Sequence, residues 1–140
     1  PDVEVVRASG AEDADASADV MASAYSMPKD SVLRALPVSL FDTTGADVYV
    51  ARLNGAAVGT VTMTYHGETC GIWAMGTDAA RQRGGIGLRL LSTAMVQARN
   101  NGARRFFLGA TPAGYRLYEG LGFETVCSAR VWVSGETHQS

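Results

Sequence analysis

Cysteine is scarce in this chain: there are two among 140 residues, Cys70 and Cys127. Two are too few for the disulfide framework of a small secreted domain, and they are not spaced as a metal site. Histidine is as sparse, at His66 and His138. No pair of ligands falls at helical or hairpin spacing, so no metal is expected. Lysine occurs once, at Lys29, and the formal net charge is −2. That balance disfavours a nucleic-acid partner, which needs a basic surface. No apolar run approaches the roughly 20 residues that span a membrane, and the opening residues carry no signal-peptide pattern. The expected setting is cytoplasmic and reduced, with neither membrane nor nucleic acid as partner. Proline-rich linkers, repeats and low-complexity tracts are missing as well.

What is present fits one domain with a real core: 46% hydrophobic and 19% charged residues over a length typical of a single domain. The charge is unevenly divided. Residues 1–50 hold nine acids against Arg7, Lys29 and Arg34, whereas the remainder holds five acids against nine arginines. The second part is suited to a polyanionic small molecule, and the first presents an acidic surface.

Val3 to Arg7 alternates as a short strand. Ala11 to Tyr25 is alanine-rich with early acids and reads as a helix. Pro28 interrupts, and Lys29 to Leu36 reads as a second short helix before Pro37. Residues 38–46 read as a loop. Asp47 to Leu53, Ala57 to Tyr65 and Thr69 to Thr77 read as three strands, joined by Asn54-Gly55 and His66-Gly67 turns. The result is an antiparallel meander.

Arg81-Gln82-Arg83-Gly84-Gly85-Ile86-Gly87-Leu88 follows at once. Glycines there let the chain turn with its amides exposed and let a ligand approach without meeting a Cβ. A helix starting at such a loop adds unpaired N–H groups and the positive end of its dipole, which suits a phosphate or pyrophosphate. The helix itself is marked by Leu88, Leu91, Met95 and Ala98 at helical spacing, with Asn101-Gly102 as its stop. Arg104 to Ala110 reads as a buried strand. Thr111-Pro112 caps a short helix from Ala113 to Leu121, Gly122 ends it, and Phe123 to Val133 reads as two more short strands or a bent hairpin. Ser134 to Ser140 reads as a polar tail. The loop lacks the Gly-Lys-Ser/Thr of a P-loop, and its glycines are not spaced as in a dinucleotide fold.

Two segments and their separation resemble the GNAT superfamily of acyl-CoA N-acyltransferases. Gln82-Arg83-Gly84-Gly85-Ile86-Gly87 fits the family's Gln/Arg-x-x-Gly-x-Gly/Ala loop, and Leu117-Tyr118-Glu119-Gly120-Leu121-Gly122-Phe123 fits its Leu-Tyr-x-x-x-Gly-Phe element. The resemblance implies an α+β (mixed α/β) fold, a mostly antiparallel mixed sheet of six to seven strands flanked by about four helices, over residues 1–133. It implies acetyl-CoA as co-substrate, with the backbone of Gln82, Arg83, Gly84, Gly85, Ile86, Gly87 and Leu88 on its pyrophosphate. Met75, Gly76 and Thr77 would pair with the pantetheine amides, and Gly76 would mark a bulge or a close backbone approach. Thr111 and Tyr115 are further cofactor candidates.

Tyr118 stands where the family commonly keeps a tyrosine near the coenzyme sulfur, a proton donor to the leaving thiolate. Tyr115, one turn earlier, is the alternative. The implied reaction is direct acetyl transfer in a ternary complex to a small-molecule or protein amine. A non-catalytic acyl-CoA-binding sensor is the second reading. Where several relatives place a glutamate as general base, this chain has Gly71, leaving Glu68 and His66 as nearby candidates. Tyr25, Met27, Leu33, Leu36, Leu40 and Phe41, with Asp30 and Asp42, would wall the acceptor. An exposed sheet edge offers a surface for a homodimer.

Overall fold

The computed structural model describes residues 3–35, 45–81, 84–109 and 115–124. Two compact units divide the chain, residues 1–109 and 110–140. In the first, β1 (Val3–Arg7) leads into α1 (Gly10–Tyr25) and α2 (Lys29–Ala35). The meander follows as β2 (Ala46–Leu53), β3 (Ala56–His66) and β4 (Thr69–Thr77). A short 3-10 turn, Ala79–Arg81, precedes α3 (Ile86–Asn100) and β5 (Arg105–Leu108). The second unit contributes α4 (Tyr115–Gly120).

The five strands lie in chain order, antiparallel except for the β4–β5 pair, which is parallel. The mixed architecture therefore holds, with five strands among the described residues rather than six to seven. The further strands expected within Phe123 to Val133 lie, from residue 125 on, outside the described residues. So do the polar tail, Thr111-Pro112, Cys127, His138 and the loop segment 36–44.

The meander forms where its turn residues accept left-handed backbone: Asn54 and Gly55 sit at φ 53° and 85°, and Gly67 at 59°. Strand alternation then sorts side chains onto two faces. On one, Ala14 of α1 and Ala8 just before it cluster with Val48 and Val50, and Ala18 and Met21 of α1 with Val32 of α2. On the other, α3 covers Val61 and Met63, both fully buried. The buried stripe of α3 is Ile86, Leu90, Leu91, Ala94 and Ala98. This corrects the face expected from Leu88, Leu91, Met95 and Ala98, since Leu88 is 48% exposed. Gly59 decides it: with no side chain of its own, it admits Leu90 and Ile86 to 3.2 and 3.3 Å of where its Cβ would stand. A second correction concerns β5, expected to be buried: its residues alternate between exposed and half-buried, and Phe107 is 48% exposed. Among the described residues no helix is long and apolar enough to cross a membrane.

Candidate acyl-transfer site

Helix α3 opens on a glycine turn. Gly85 is its N-cap at φ 82°, and no side chain caps the helix. A Cβ at Gly85 would meet nothing within 4 Å, and one at Gly84 only the Arg81 carbonyl at 3.5 Å. The first helical bond runs from the Arg89 amide to the Gly85 carbonyl, 3.0 Å. The amides of Ile86, Gly87 and Leu88 therefore precede the helical ladder, at the positive end of the dipole. The Ile86 side chain is buried, so what Ile86 can offer an anion is its main chain. Gln82 and Arg83 lie outside the described residues.

The turn is held in place from α1. The Asp78 carboxylate accepts hydrogen bonds from the Ser23 hydroxyl at 3.2 Å and the Ala80 amide at 3.0 Å. The Ala79 amide in turn donates to Ser23 at 3.1 Å. Sequence reading missed this anchor, because it joins positions 55 residues apart.

Strand β4 leads into that turn and is irregular. Thr60 pairs with Gly76 and Thr62 with Trp73, so Ala74 and Met75 together oppose Val61. This is a β-bulge, with Ala74 at φ 50°. Of the two readings of Gly76, a bulge or a close approach, the bulge lies one to two residues earlier. Gly76 itself answers a close approach, by α1: a Cβ there would lie 3.1 Å from Ala24 Cβ and from Met21 Sδ. The Met75 side chain is core, and its carbonyl accepts a hydrogen bond from the Tyr25 hydroxyl. Thr77 is half-buried and pairs with Gly59. On the other side of β4, pairing with β5 ends at Ile72–Leu108. From Trp73 to Gly76, β4 has no strand partner on that side among the described residues.

In the second unit, Tyr118 is half-buried on α4, its ring edge-on to Phe123 with centroids 6.2 Å apart. Its carbonyl accepts from the Leu121 and Phe123 amides at 3.0 and 3.1 Å, and Gly122 at φ 93° closes the helix. Tyr115 begins the same helix.

The candidate bases stand elsewhere. His66 and Glu68 are exposed at the β3–β4 turn, about 20 Å along β4 from the bulge at 3.3 Å per residue. Glu68 is also 4.0 Å from Arg104 Nε. A side chain at Gly71 would have to displace Trp73, since its Cβ would come within 2.6 Å of Trp73 Nε1. Cys70 is fully buried, and burial pushes its thiol up to about 11, which makes it a poor nucleophile. Asp47 is taken up by Arg7 Nε at 2.6 Å and the Tyr65 hydroxyl at 3.0 Å. Asp47 and Arg7 belong to a separate groove of about 400 Å³ against the C-terminal half of α3, also lined by Tyr49 and Gln97.

No curated protein sequence matches the chain. Solved structures with the same fold include a candidate acetyltransferase from Pyrococcus horikoshii, at TM-score 0.76 and 24% identity. That match covers 87% of this chain and 43% of the other, so the chain spans less than half that protein's length. AAC(6')-Iy bound to the bisubstrate analogue CoA-S-monomethyl-acetylneamine matches at TM-score 0.74 and 13% identity, covering 97% of this chain and 99% of the other. A ribosomal-protein-alanine N-acetyltransferase from Brucella melitensis matches at TM-score 0.73 and 20% identity, over 96% and 100%. At these identities the likeness is one of fold. The sequence pattern of the acetyltransferase (GNAT) family matches residues 17–123. That stretch includes the bulged strand, the glycine turn and Tyr118, and the chain belongs to the GNAT family of acetyltransferases.

Proposed function

We propose that this chain moves an acetyl group from acetyl-CoA directly to an amine. The observation that carries the reading is the open glycine turn of α3 set at the end of a strand whose outer edge loses its β5 partner. Main-chain amides from Gly84 to Leu88 fit a diphosphate, because nothing fills the space beside Gly85. Gln82 and Arg83 complete that cradle in this reading, with Thr111 and Tyr115 as further contacts. The edge of β4 at Met75, Gly76 and Thr77 receives an amide-bearing chain as an added strand would be received. Tyr25 already engages the Met75 carbonyl, which leaves the neighbouring groups to that role.

Acetyl-CoA supplies the activated thioester. The chain's part is to hold that thioester and the acceptor together and to move protons. A main-chain amide freed by the Ala74–Met75 bulge polarises the carbonyl. A C–N bond forms as the C–S bond breaks, the amine gives up one proton to solvent, and the Tyr118 hydroxyl protonates the departing sulfur and regains its proton from solvent. Most of the acceleration comes from positioning, which asks little of side chains. The ribosomal-protein-alanine N-acetyltransferase and the complex of AAC(6')-Iy with a CoA–acetylneamine bisubstrate analogue support an amine acceptor, small or protein-borne. A homodimer through a free sheet edge and a cytoplasmic setting complete the reading.

The test is a thermal shift with acetyl-CoA, followed by thiol release over an amine panel. Stabilisation with turnover supports the proposal. Stabilisation without turnover on any amine supports a non-catalytic acyl-CoA binder, and no stabilisation removes both.

A further inference from the structure

Strand β4 separates two differently furnished faces. α3 and its glycine turn occupy the face of Gly59, Val61, Met63 and Ile72. The opposite face carries Thr60, Thr62, Thr64, Gly71 and Trp73, and α1 packs on it beside Gly76. At the level where β4 and β5 cease to pair, that second face is flanked by Trp73 on β4 and Phe107 on β5. Each is 48% exposed.

The two rings meet edge to face, centroids 5.6 Å apart at 88°. Trp73 Nε1 donates to Thr64 Oγ1 at 2.8 Å, which fixes the indole in orientation. Together they roof Gly71: a Cβ there would stand 2.6 Å from Trp73 Nε1, 2.9 Å from Phe107 Cζ and 2.9 Å from Thr64 Oγ1. The aromatic pair occupies the space in which a side chain at position 71 would otherwise project. All four residues of this shelf are uncharged. The charged side chain two positions along β5 on the same face is Arg105, a cation.

We propose that this shelf receives the acceptor and selects a primary amine with an apolar, aromatic body over a polycation. The inference rests on the acetyl-transfer reading. With a diphosphate at the start of α3, the thioester approaches from the α3 face, and the β4–β5 divergence is its way through the sheet. The acceptor then meets it from the other side, where Trp73 and Phe107 flank the opening. A flat apolar body gains edge and face contacts with the two rings. A second positive charge on the acceptor is opposed by Arg105 and finds no carboxylate on the shelf.

The experiment compares kcat/KM for 2-phenylethylamine and spermidine, with acetyl-CoA thermal shifts run in parallel. Wild type should favour 2-phenylethylamine by tenfold or more. Trp73→Ala should erase that preference, mainly through KM, while leaving the acetyl-CoA shift intact. Trp73→Phe should restore part of it, and Phe107→Leu should lower it less. Equal or better use of spermidine by wild type, or an equal loss on both amines in Trp73→Ala, overturns the shelf while the acetyl-transfer reading stands. Absence of an acetyl-CoA shift in wild type overturns both.

Discussion

Replacing Gly85 separates the backbone of the glycine turn from the anion it is proposed to hold. The residue sits at φ 82° with nothing within 4 Å of a built Cβ. Any L side chain there costs about 1–2 kcal/mol of left-handed strain, without a clash. Gly85→Ala and Gly85→Glu share that cost, and both should lose roughly 3–8 °C in Tm for a chain of this length.

Only Gly85→Glu adds a charge. About 5 Å from a bound phosphate, at an effective dielectric constant of about 20, one like charge opposes binding by about 3 kcal/mol. That is roughly two decades in Kd. At acetyl-CoA a hundredfold above the wild-type Kd, ligand stabilisation is about 2.7 kcal/mol, or roughly 10 °C. Gly85→Ala should keep that shift. In Gly85→Glu the ligand then stands near its weakened Kd and adds under about 2 °C. Differential scanning fluorimetry over a concentration series reads both effects. A full acetyl-CoA shift in Gly85→Glu refutes the main-chain cradle.

Three further outcomes are expected. Tyr118→Phe should retain the acetyl-CoA shift and lower kcat by tenfold or more, since a positioned acid contributes about 10²–10⁴; unchanged kcat in thiol-release assays removes Tyr118 from that role. Leu90→Ala removes a fully buried side chain on the stripe packed at Gly59 and should cost about 2–5 kcal/mol in urea unfolding. Burial holds the Cys70 proton up to about 11, whereas the unfolded thiol loses it from about 8.5. The folded chain therefore binds more protons in that window, so its thiol-linked stability is complete below about pH 8.5 and falls as pH rises toward 11. Cys70→Ser should flatten the decline between pH 8.5 and 10, below the tyrosines, whose phenols burial also pushes up at Tyr25, Tyr49 and Tyr65.

The meander was legible because its boundaries are written locally. Asn54-Gly55 and Gly67 take backbone conformations that few other residues tolerate. The glycine turn was legible for the same reason, and α3 directly follows it. The buried face of α3 was not, since an apolar helix offers more than one stripe at a period of 3.6. Which stripe packs is settled by the missing Cβ at Gly59, on another strand. The bulge at Ala74 and Met75 was displaced in the reading because register belongs to a pair of strands. Nothing at Ala74 itself announces that two residues will oppose Val61.

Gly71 shows how a correct residue can carry the wrong question. From sequence it is a place where a carboxylate is missing, which leaves a vacancy in the chemistry. In the folded chain that space is occupied: Trp73, Phe107 and Thr64 all lie within 3 Å of where a side chain would begin. A glutamate at this position would have to expel the indole and break its bond to Thr64. Glycine here is therefore the condition for the aromatic pair on the second face of β4. On the acetyl-transfer reading proposed above, His66 and Glu68 stand too far along the strand to take the acceptor's proton, which then passes to solvent. On the same proposal, the strand's contribution to rate is the placing of two reactants at the point where the sheet opens.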